Sequence, residues 1–358
     1  MDSSATILPT PLADFHRANG ARIGVWFGCA LPDHFADWLD EYRFARENVG
    51  VVDKNYRAYL DFTGPDRIRY LNAILTNNIK GLADHHGSAS LLLSPQGRIL
   101  TEIETYAFPE RIFAISYAMI RAPLIEIIEK YIIMDDVNLT NLTDKLGTLS
   151  LEGPKAVLCA RKLAAVDFDK LADLELRECM VHTIPCSVSK RTIGGVSGVE
   201  FLAERENLQS LWNLLLAAAK ELGGGAIGYD ALNALRLEQG VPWFGYDFGD
   251  KQIPHEAGLQ DSHISYTKGC YTGQEIVERV RSRGQVHRTR VLLKFETPEL
   301  PAGNSPLLFD GKEFGHVTSA SFSPAANSFI GMGYVRREKS APGSILGLST
   351  GGKVTVGA

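Results

Sequence analysis

The sequence predicts an α+β protein that ends in a small all-β module, and two observations carry this prediction. The first is a repeated layout: segments 59–79 and 149–164 each run from an alternating, strand-like stretch through Gly-Pro into a helical pattern. The second is a change of sequence pattern after Gln285, where short runs of alternating apolar and polar residues are separated by Pro, Gly, Asn and Asp. The repeat indicates two α+β layers of similar construction, and the change of pattern indicates a C-terminal β-barrel or β-sandwich.

The elements between and after the two Gly-Pro units follow from apolar spacing. Residues 88–108 predict a hairpin with Pro-Gln-Gly at its turn, and residues 117–134 predict a core-facing helix. Residues 201–225 contain the clearest helical pattern, which Gly223 ends. Its apolar stripe consists of Leu208, Leu211, Trp212, Leu215, Ala218, Ala219 and Leu222. In the C-terminal module, "LLFDGKEF" predicts a hairpin with Asp-Gly at the turn.

The composition is that of a soluble globular protein. The chain has 358 residues, 45% of them hydrophobic and 22% charged, which suggests two or three domains. A net charge of −5 gives no general attraction to nucleic acid or to anionic membranes. No apolar run approaches the roughly 20 residues that span a bilayer, and the first residues match neither a secretory signal nor a transit peptide. We therefore expect a cytoplasmic protein with no membrane partner.

The cysteines are five in number and include no CxxC pair. This argues against a disulfide framework and against a zinc ribbon, so we expect no metal site. Four of them are expected to behave as small buried hydrophobes, namely Cys29, Cys159, Cys179 and Cys186. Cys270 lies in "TKGCYTGQEIVER" with Lys268 two residues before it. Nearby cations favour the reactive thiolate, so this segment leaves a reactive thiol and a buried structural thiol both open.

A run of arginines follows the Cys270 segment. It contains Arg279, Arg281, Arg283, Arg288 and Arg290. The period of two at positions 279, 281 and 283 predicts a strand with one solvated basic face. A strip that binds a small anionic ligand is the alternative. Nucleic acid would need the same strip, but the acidic background and the lack of interleaved aromatic residues argue against it as a partner.

The segment 268–284, "KGCYTGQEIVERVRSRG", resembles the signature of the YgfZ-type folate-binding proteins, relatives of an iron–sulfur assembly factor. The matching residues are Lys268, Gly269, Cys270, Tyr271, Gly273, Gln274, Glu275 and Arg279. Five other segments are similar to the wider aminomethyltransferase (glycine-cleavage T-protein) superfamily: "TPLADFHRANGARIGVWFG", "FTGPDRIRYLNAILTNNI", "LLLSPQGRIL", "LEGPKA" and "LNALRLEQGVPWFGYDF".

The resemblance implies a T-protein-like architecture of two α+β domains, the second inserted in the first, and a C-terminal β-barrel. On this basis residues 1–50 and 145–284 would form a discontinuous folate-binding domain. Residues 51–144 would form the inserted domain, and residues 285–358 the barrel.

The resemblance also implies a cofactor, tetrahydrofolate or a one-carbon derivative. A pterin ring presents two parallel N–H donors that suit a carboxylate, and Glu200 in "RTIGGVSGVEFL" matches that position. The other cofactor-binding candidates are Arg236, Tyr271, Gln274, Glu275 and Arg279.

The expected chemistry depends on three candidate catalytic residues, Cys270, Lys268 and Glu102. Aminomethyltransferases carry an Asp-Asp pair where this chain has Thr101 and Glu102, so one carboxylate remains on a longer arm. Reacting groups must be placed closely, and the change therefore leaves open whether the chain is an enzyme. The function implied is support of iron–sulfur cluster assembly or repair, with client or assembly proteins as partners. The alternative is a folate-dependent one-carbon transferase, an aminomethyltransferase or a demethylase.

Overall fold

The computed structural model describes residues 6–193 and 196–357, which fold into two compact units. Unit 1 consists of the described residues up to Asn72 together with Asn78–Ala89 and Ile103–Leu232. Unit 2 consists of Ala73–Asn77, Ser90–Glu102 and the described residues from Asn233 onward. The three-part boundaries drawn from the sequence stay a prediction.

The helices are short and distributed along the chain. In chain order they are α1 (Ala13–Ala18), α2 (Trp38–Glu47), α3 (Arg67–Ile74), α4 (Arg121–Tyr131), α5 (Ala156–Leu163), α6 (Leu208–Glu221), α7 (Tyr229–Glu238), α8 (Pro254–Ala257), α9 (Gln260–His263) and α10 (Gln274–Arg283). Single 3₁₀ turns lie at Ala118–Ile120, Arg205–Asn207 and Arg337–Lys339.

The strands alternate with these helices and then dominate the C-terminal part. The first thirteen are β1 (Arg22–Trp26), β2 (Cys29–His34), β3 (Gly50–Asp53), β4 (Arg57–Thr63), β5 (Gly87–Leu93), β6 (Ile99–Ala107), β7 (Ile112–Tyr117), β8 (Asn138–Asn141), β9 (Leu146–Glu152), β10 (Leu176–Val181), β11 (Ile184–Ile193), β12 (Val196–Glu204) and β13 (Gly225–Ala226). The others are β14 (Arg288–Glu296), β15 (Pro306–Phe309), β16 (Lys312–Ser323), β17 (Ser328–Arg336), β18 (Ile345–Leu348) and β19 (Lys353–Val356).

Within the described residues these strands form two larger sheets, a hairpin and a barrel. One sheet has the order β10-β11-β12-β9-β3-β13 and the other β5-β6-β7-β4-β8, while β1 pairs with β2. The closed barrel has the order β14-β17-β16-β15-β18-β19. The α+β fold with a C-terminal barrel is therefore confirmed. No helix among the residues that the structure describes is long and apolar enough to cross a membrane.

The repeated Gly-Pro layout is confirmed as β4–α3 and β9–α5. Both glycines have positive φ, +97° at Gly64 and +127° at Gly153. A Cβ would lie 2.3 Å from the Asp136 oxygen at the first and 2.7 Å from the Ala45 oxygen at the second, so only glycine fits. Each helix begins two residues after its proline rather than at it.

The other predicted elements also form, with shorter bounds. The stripe of α6 is buried from Leu208 to Ala219 in the core of the larger sheet, while Leu222 is half-buried. The 88–108 hairpin is β5–β6, and the 117–134 helix is α4. At the Asp310-Gly311 turn both residues have positive φ, as a type I′ hairpin requires.

Candidate functional site

In unit 2 the Cys270 segment is a loop that leads into α10. Gly273 begins the helix with φ +82°, and a Cβ there would lie 2.7 Å from the Ser94 oxygen, so the bend requires glycine. Cys270 lies in this loop with its side chain exposed, whereas the other four cysteines are buried or half-buried. The structure thus favours the accessible thiol over the buried structural thiol.

Lys268 anchors the same loop. Its ammonium group donates hydrogen bonds to the backbone oxygens of Leu75 and Asn77. Burial lowers the pKa of Lys268 to about 8. The ammonium nitrogen also lies 5.2 Å from the centre of the Tyr271 ring. Tyr271 itself is buried, and its hydroxyl has no hydrogen-bond partner among the described residues.

The arginine run is not the strand that the period of two predicted, because Gln274–Arg283 is helical. Arg279 donates to Glu275 at 2.8 Å, four residues earlier on α10, and both side chains are exposed. Arg281 lies over the ring of Tyr266, 4.2 Å from its centre, and the side chain of Arg283 is outside the described part. Gln274 is the first residue of the helix.

The two barrel arginines of the run, at the start of β14, point to partners in unit 2. Arg288 donates to a Glu256 carboxylate oxygen at 3.2 Å, and Arg290 donates to the backbone oxygen of Ala257 at 2.9 Å. A continuous solvated basic face is therefore not formed.

Glu102 has a histidine partner that the sequence did not indicate. Its carboxylate oxygen Oε1 lies 2.8 Å from Nε2 of His263, and the exposed fractions of the two side chains are 24% and 10%. An ionised carboxylate only accepts, so Nε2 then carries the proton and Nδ1 accepts from the Ser262 hydroxyl, 2.7 Å away. Thr76 holds this segment by donating to the backbone oxygen of His263. Thr101, on the opposite side of β6, is fully buried.

In unit 1 Glu200 is the centre of a buried ion network. It lies on β12, opposite Ser189 of β11 and Ser150 of β9. Arg57 donates to both carboxylate oxygens at 2.7 Å, and Lys54 donates to Oε1 at 3.2 Å. Burial alone would raise the pKa of Glu200, but the charges of Arg57 and Lys54 outweigh it and hold that pKa well below its usual range.

The charges of this network balance. Its cations are Lys54, Arg57 and Arg191, and its carboxylates are Glu104, Glu152 and Glu200. Because Arg57 already takes both Glu200 oxygens, a pterin would have to share them, and the pterin-binding role of Glu200 stays a prediction.

Aromatic rings lie beside this network. The half-buried Tyr56 ring stacks on Phe27 with centres 4.1 Å apart and on Tyr117 at 5.8 Å. The Arg57 guanidinium lies 5.9 Å from the Tyr56 ring centre. Unit 1 thus places flat aromatic surface next to fixed charges.

Arg236, in α7 of unit 2, is held by a second buried ion pair. Its Nη1 pairs with Asp247, its Nε donates to Asn233 at 2.9 Å, and its guanidinium lies 4.6 Å from the Trp243 ring centre. Asp247 in turn accepts from Ser319 at 2.7 Å. Nη2 of Arg236 is buried with no hydrogen-bond partner among the described residues.

The structure therefore brings some predicted residues together and leaves others apart. In unit 2 the 268–279 segment, Glu102 and Arg236 are present, whereas Glu200 belongs to unit 1. The predicted glycine turn at positions 194–195 lies outside the described residues. Sequence reasoning missed Lys54, Arg57, Asp247 and His263. The only signal for the first two was a pair of cations in "DKNYRAYL", at the start of a strand-like run.

Comparison with known families matches most of the chain. The GCVT N-terminal domain matches residues 12–263. The glycine cleavage T-protein C-terminal barrel domain matches residues 288–357.

Among relatives, the aminomethyltransferase of Clostridium botulinum (strain Loch Maree / Type A3) is 28% identical over 343 residues, covering 94% of this chain and 91% of the relative. That of Moorella thermoacetica is 28% identical over 356 residues, covering 98% and 94%. A solved structure of glycine cleavage system aminomethyltransferase T from Bartonella henselae has a TM-score of 0.89 at 21% identity, covering 98% of this chain and 97% of that one. This last likeness establishes the fold.

Proposed function

The chain belongs to the glycine cleavage T-protein family, and from this premise we propose that it binds tetrahydrofolate and supports assembly or repair of iron–sulfur clusters in client enzymes. The proposal has two parts, the cofactor and its use. A reduced folate carries one-carbon units on its N5 and N10 nitrogens.

Folate binding is supported by two orphaned donors in unit 2. The buried Tyr271 hydroxyl and the buried Arg236 Nη2 lack hydrogen-bond partners among the described residues. Buried polar atoms are nearly always hydrogen-bonded, so an unpaired donor needs an explanation. The carbonyl and carboxylate oxygens of a folate are acceptors that fit such donors.

The iron–sulfur role rests on one observation, the exposed Cys270 within the complete 268–279 motif. Thiolates are the protein ligands of iron–sulfur clusters, which commonly take four of them. One cysteine supplies one ligand, so Cys270 would act on a cluster that a client holds. The anchored Lys268 keeps the loop in place.

Complementation of a strain that lacks this protein tests that role. Wild type should restore the activity of iron–sulfur enzymes, and Cys270→Ala and Cys270→Ser should not. Thr267→Ala changes an exposed residue of the same loop and serves as the matched control. Equal rescue by both Cys270 variants and the control would remove the thiol from the mechanism.

A second function, one-carbon transfer, is favoured by the pairing of Glu102 with His263. The Asp-Asp pair of aminomethyltransferases is absent, but the imidazole can accept a proton at Nδ1 while Nε2 stays bound to the carboxylate. This function predicts methylene-tetrahydrofolate formation from an aminomethyl donor, abolished in Glu102→Gln and strongly reduced in His263→Gln. Folate binding without any product in wild type would exclude this function and leave the first.

A further inference from the structure

Two cysteines face each other across the edge hairpin of unit 1. Cys179 on β10 and Cys186 on β11 are direct partners in the antiparallel register, and both are free thiols. Partners in such a ladder have Cα atoms about 4.5–5.5 Å apart, which lies within the roughly 4.4–6.8 Å usual for a disulfide. The backbone register is thus compatible with a disulfide between the two residues. Sequence spacing alone could not show this, because the register depends on the two-residue turn at His182.

Both thiols also line one cavity. Its volume is about 650 Å³, and its other walls include Phe113, Leu202 and Arg111. Cys179 is half-buried, whereas the exposed fraction of Cys186 is 6%. A small molecule that enters the cavity therefore meets Cys179 more readily than Cys186.

We propose that Cys179 and Cys186 form a thiol–disulfide exchange site that takes a small disulfide such as glutathione disulfide and closes into a cross-strand disulfide. In the first step the Cys179 thiolate attacks one sulfur, and one glutathione thiolate leaves. In the second step the Cys186 thiolate attacks Sγ of Cys179, and the second glutathione leaves. The two protons of the cysteine thiols end on the two glutathione thiols, so two protein thiols are oxidised and one glutathione disulfide is reduced.

This site goes beyond the proposed function and does not depend on it. The new bond would fix β10 to β11, and β11 pairs directly with the strand that carries Glu200. Oxidation would thus stiffen the edge of the sheet that holds the ion network.

The environment of the thiols sets the rate of the exchange. Burial raises the pKa of Cys179 to about 11. Burial, and then the neighbouring Cys179, raise the pKa of Cys186 to about 12. Both groups are thiols at neutral pH, so the rate of closure should rise about tenfold per pH unit below these values.

The test uses the full chain in a Cys270→Ser background, which removes the exposed thiol. The protein is incubated with glutathione redox buffers, alkylated and digested with trypsin. Cleavage after Arg177 and Lys190 leaves both cysteines in the peptide 178–190. Closure predicts a peptide two hydrogen atoms lighter than the reduced one, without alkyl groups, and restored by a strong reductant.

Single variants separate the two steps. Cys186→Ala should stop at a glutathione adduct on Cys179, and Cys179→Ala should show almost no modification of Cys186. Cys186→Ser repeats the first experiment if the alanine variant does not fold. A peptide 178–190 that stays fully reduced, or a stable glutathione adduct on Cys179 while Cys186 is present, would overturn the proposal.

Discussion

The two charged regions of the molecule differ in how their central charged groups are paired. In the Glu200 network of unit 1 the cations and carboxylates balance, and Arg57 takes both oxygens of the central carboxylate. In unit 2 the Tyr271 hydroxyl and Arg236 Nη2 are buried without hydrogen-bond partners among the described residues, and Cys270 is exposed. Pairing at both oxygens of Glu200 stabilises and positions the strands around it, whereas a buried donor that lacks a hydrogen bond retains the capacity to bind.

Burying a donor without a hydrogen-bond partner destabilises the folded protein. A buried donor without a partner costs about 1–3 kcal/mol relative to a satisfied one. Sequences tend to break such rules where function requires it. Under the proposed function, Tyr271 and Arg236 would supply the binding chemistry of unit 2, and we expect variants in the two regions to behave differently.

The largest effect is expected in the Glu200 network. Glu200→Gln should lower the free energy of unfolding by about 3–5 kcal/mol in urea denaturation, because it leaves buried cations short of a carboxylate. Glu204→Gln, an exposed carboxylate on the same strand, is the control and should change little. Equal effects of the two variants would show that the network does not stabilise the fold.

The difference in unfolding free energy between wild type and Glu200→Gln should change with pH in a direction that follows from the pKa of Glu200. The pKa of Glu200 is lowered in the folded state, so its stabilising contribution is complete above the unfolded value of about 4.3 and is lost as the pH falls through the folded value. The stability gap between wild type and Glu200→Gln should therefore begin to narrow as the pH falls below about 4.3 and should continue to narrow in stronger acid.

In unit 2, Lys268 should make the stability of the fold depend on pH in the alkaline range rather than in acid. Its pKa is lowered to about 8 by burial, so between that pH and the ordinary value of about 10.4 the unfolded chain binds more protons than the folded one. The unfolding free energy of wild type should rise over this range relative to Lys268→Met. The neutral amine still donates to the Leu75 and Asn77 oxygens, so deprotonation does not release the loop. A difference that is flat with pH would contradict the lowered pKa.

The smallest effect is expected for the pair on α10. Glu275 and Arg279 are exposed and four residues apart, so a double-mutant cycle with alanine should give a coupling of about 0.2–0.5 kcal/mol that weakens in salt. A larger coupling that appears only with tetrahydrofolate present would instead support their predicted role in cofactor binding.

How far apart the interacting residues lie in the chain explains what the sequence could and could not predict. Local signals were reliable: the stripe of α6, the Asp310-Gly311 turn and the two Gly-Pro units all depend on spacing within a few residues. The period of two at 279, 281 and 283 gave a wrong prediction of a strand, because these residues lie in a helix that begins at Gln274.

Long-range pairs were beyond the sequence. Glu200 is 143 residues from Arg57, and Glu102 is 161 residues from His263. No local pattern joins residues so distant. The partnership of Cys179 with Cys186 is local, yet it needs a register that composition does not give.

The central claim, that unit 2 keeps donors for a folate, is tested most directly by anaerobic calorimetric titration of tetrahydrofolate into wild type and Tyr271→Phe. The variant removes an unpaired hydroxyl and keeps the ring beside Lys268, so its urea stability should equal that of wild type or exceed it. We expect wild type to bind and the variant to bind about 2- to 12-fold more weakly, as loss of a hydrogen bond of roughly 0.5–1.5 kcal/mol requires. Absence of binding by wild type, or equal affinity in the variant, would contradict the account.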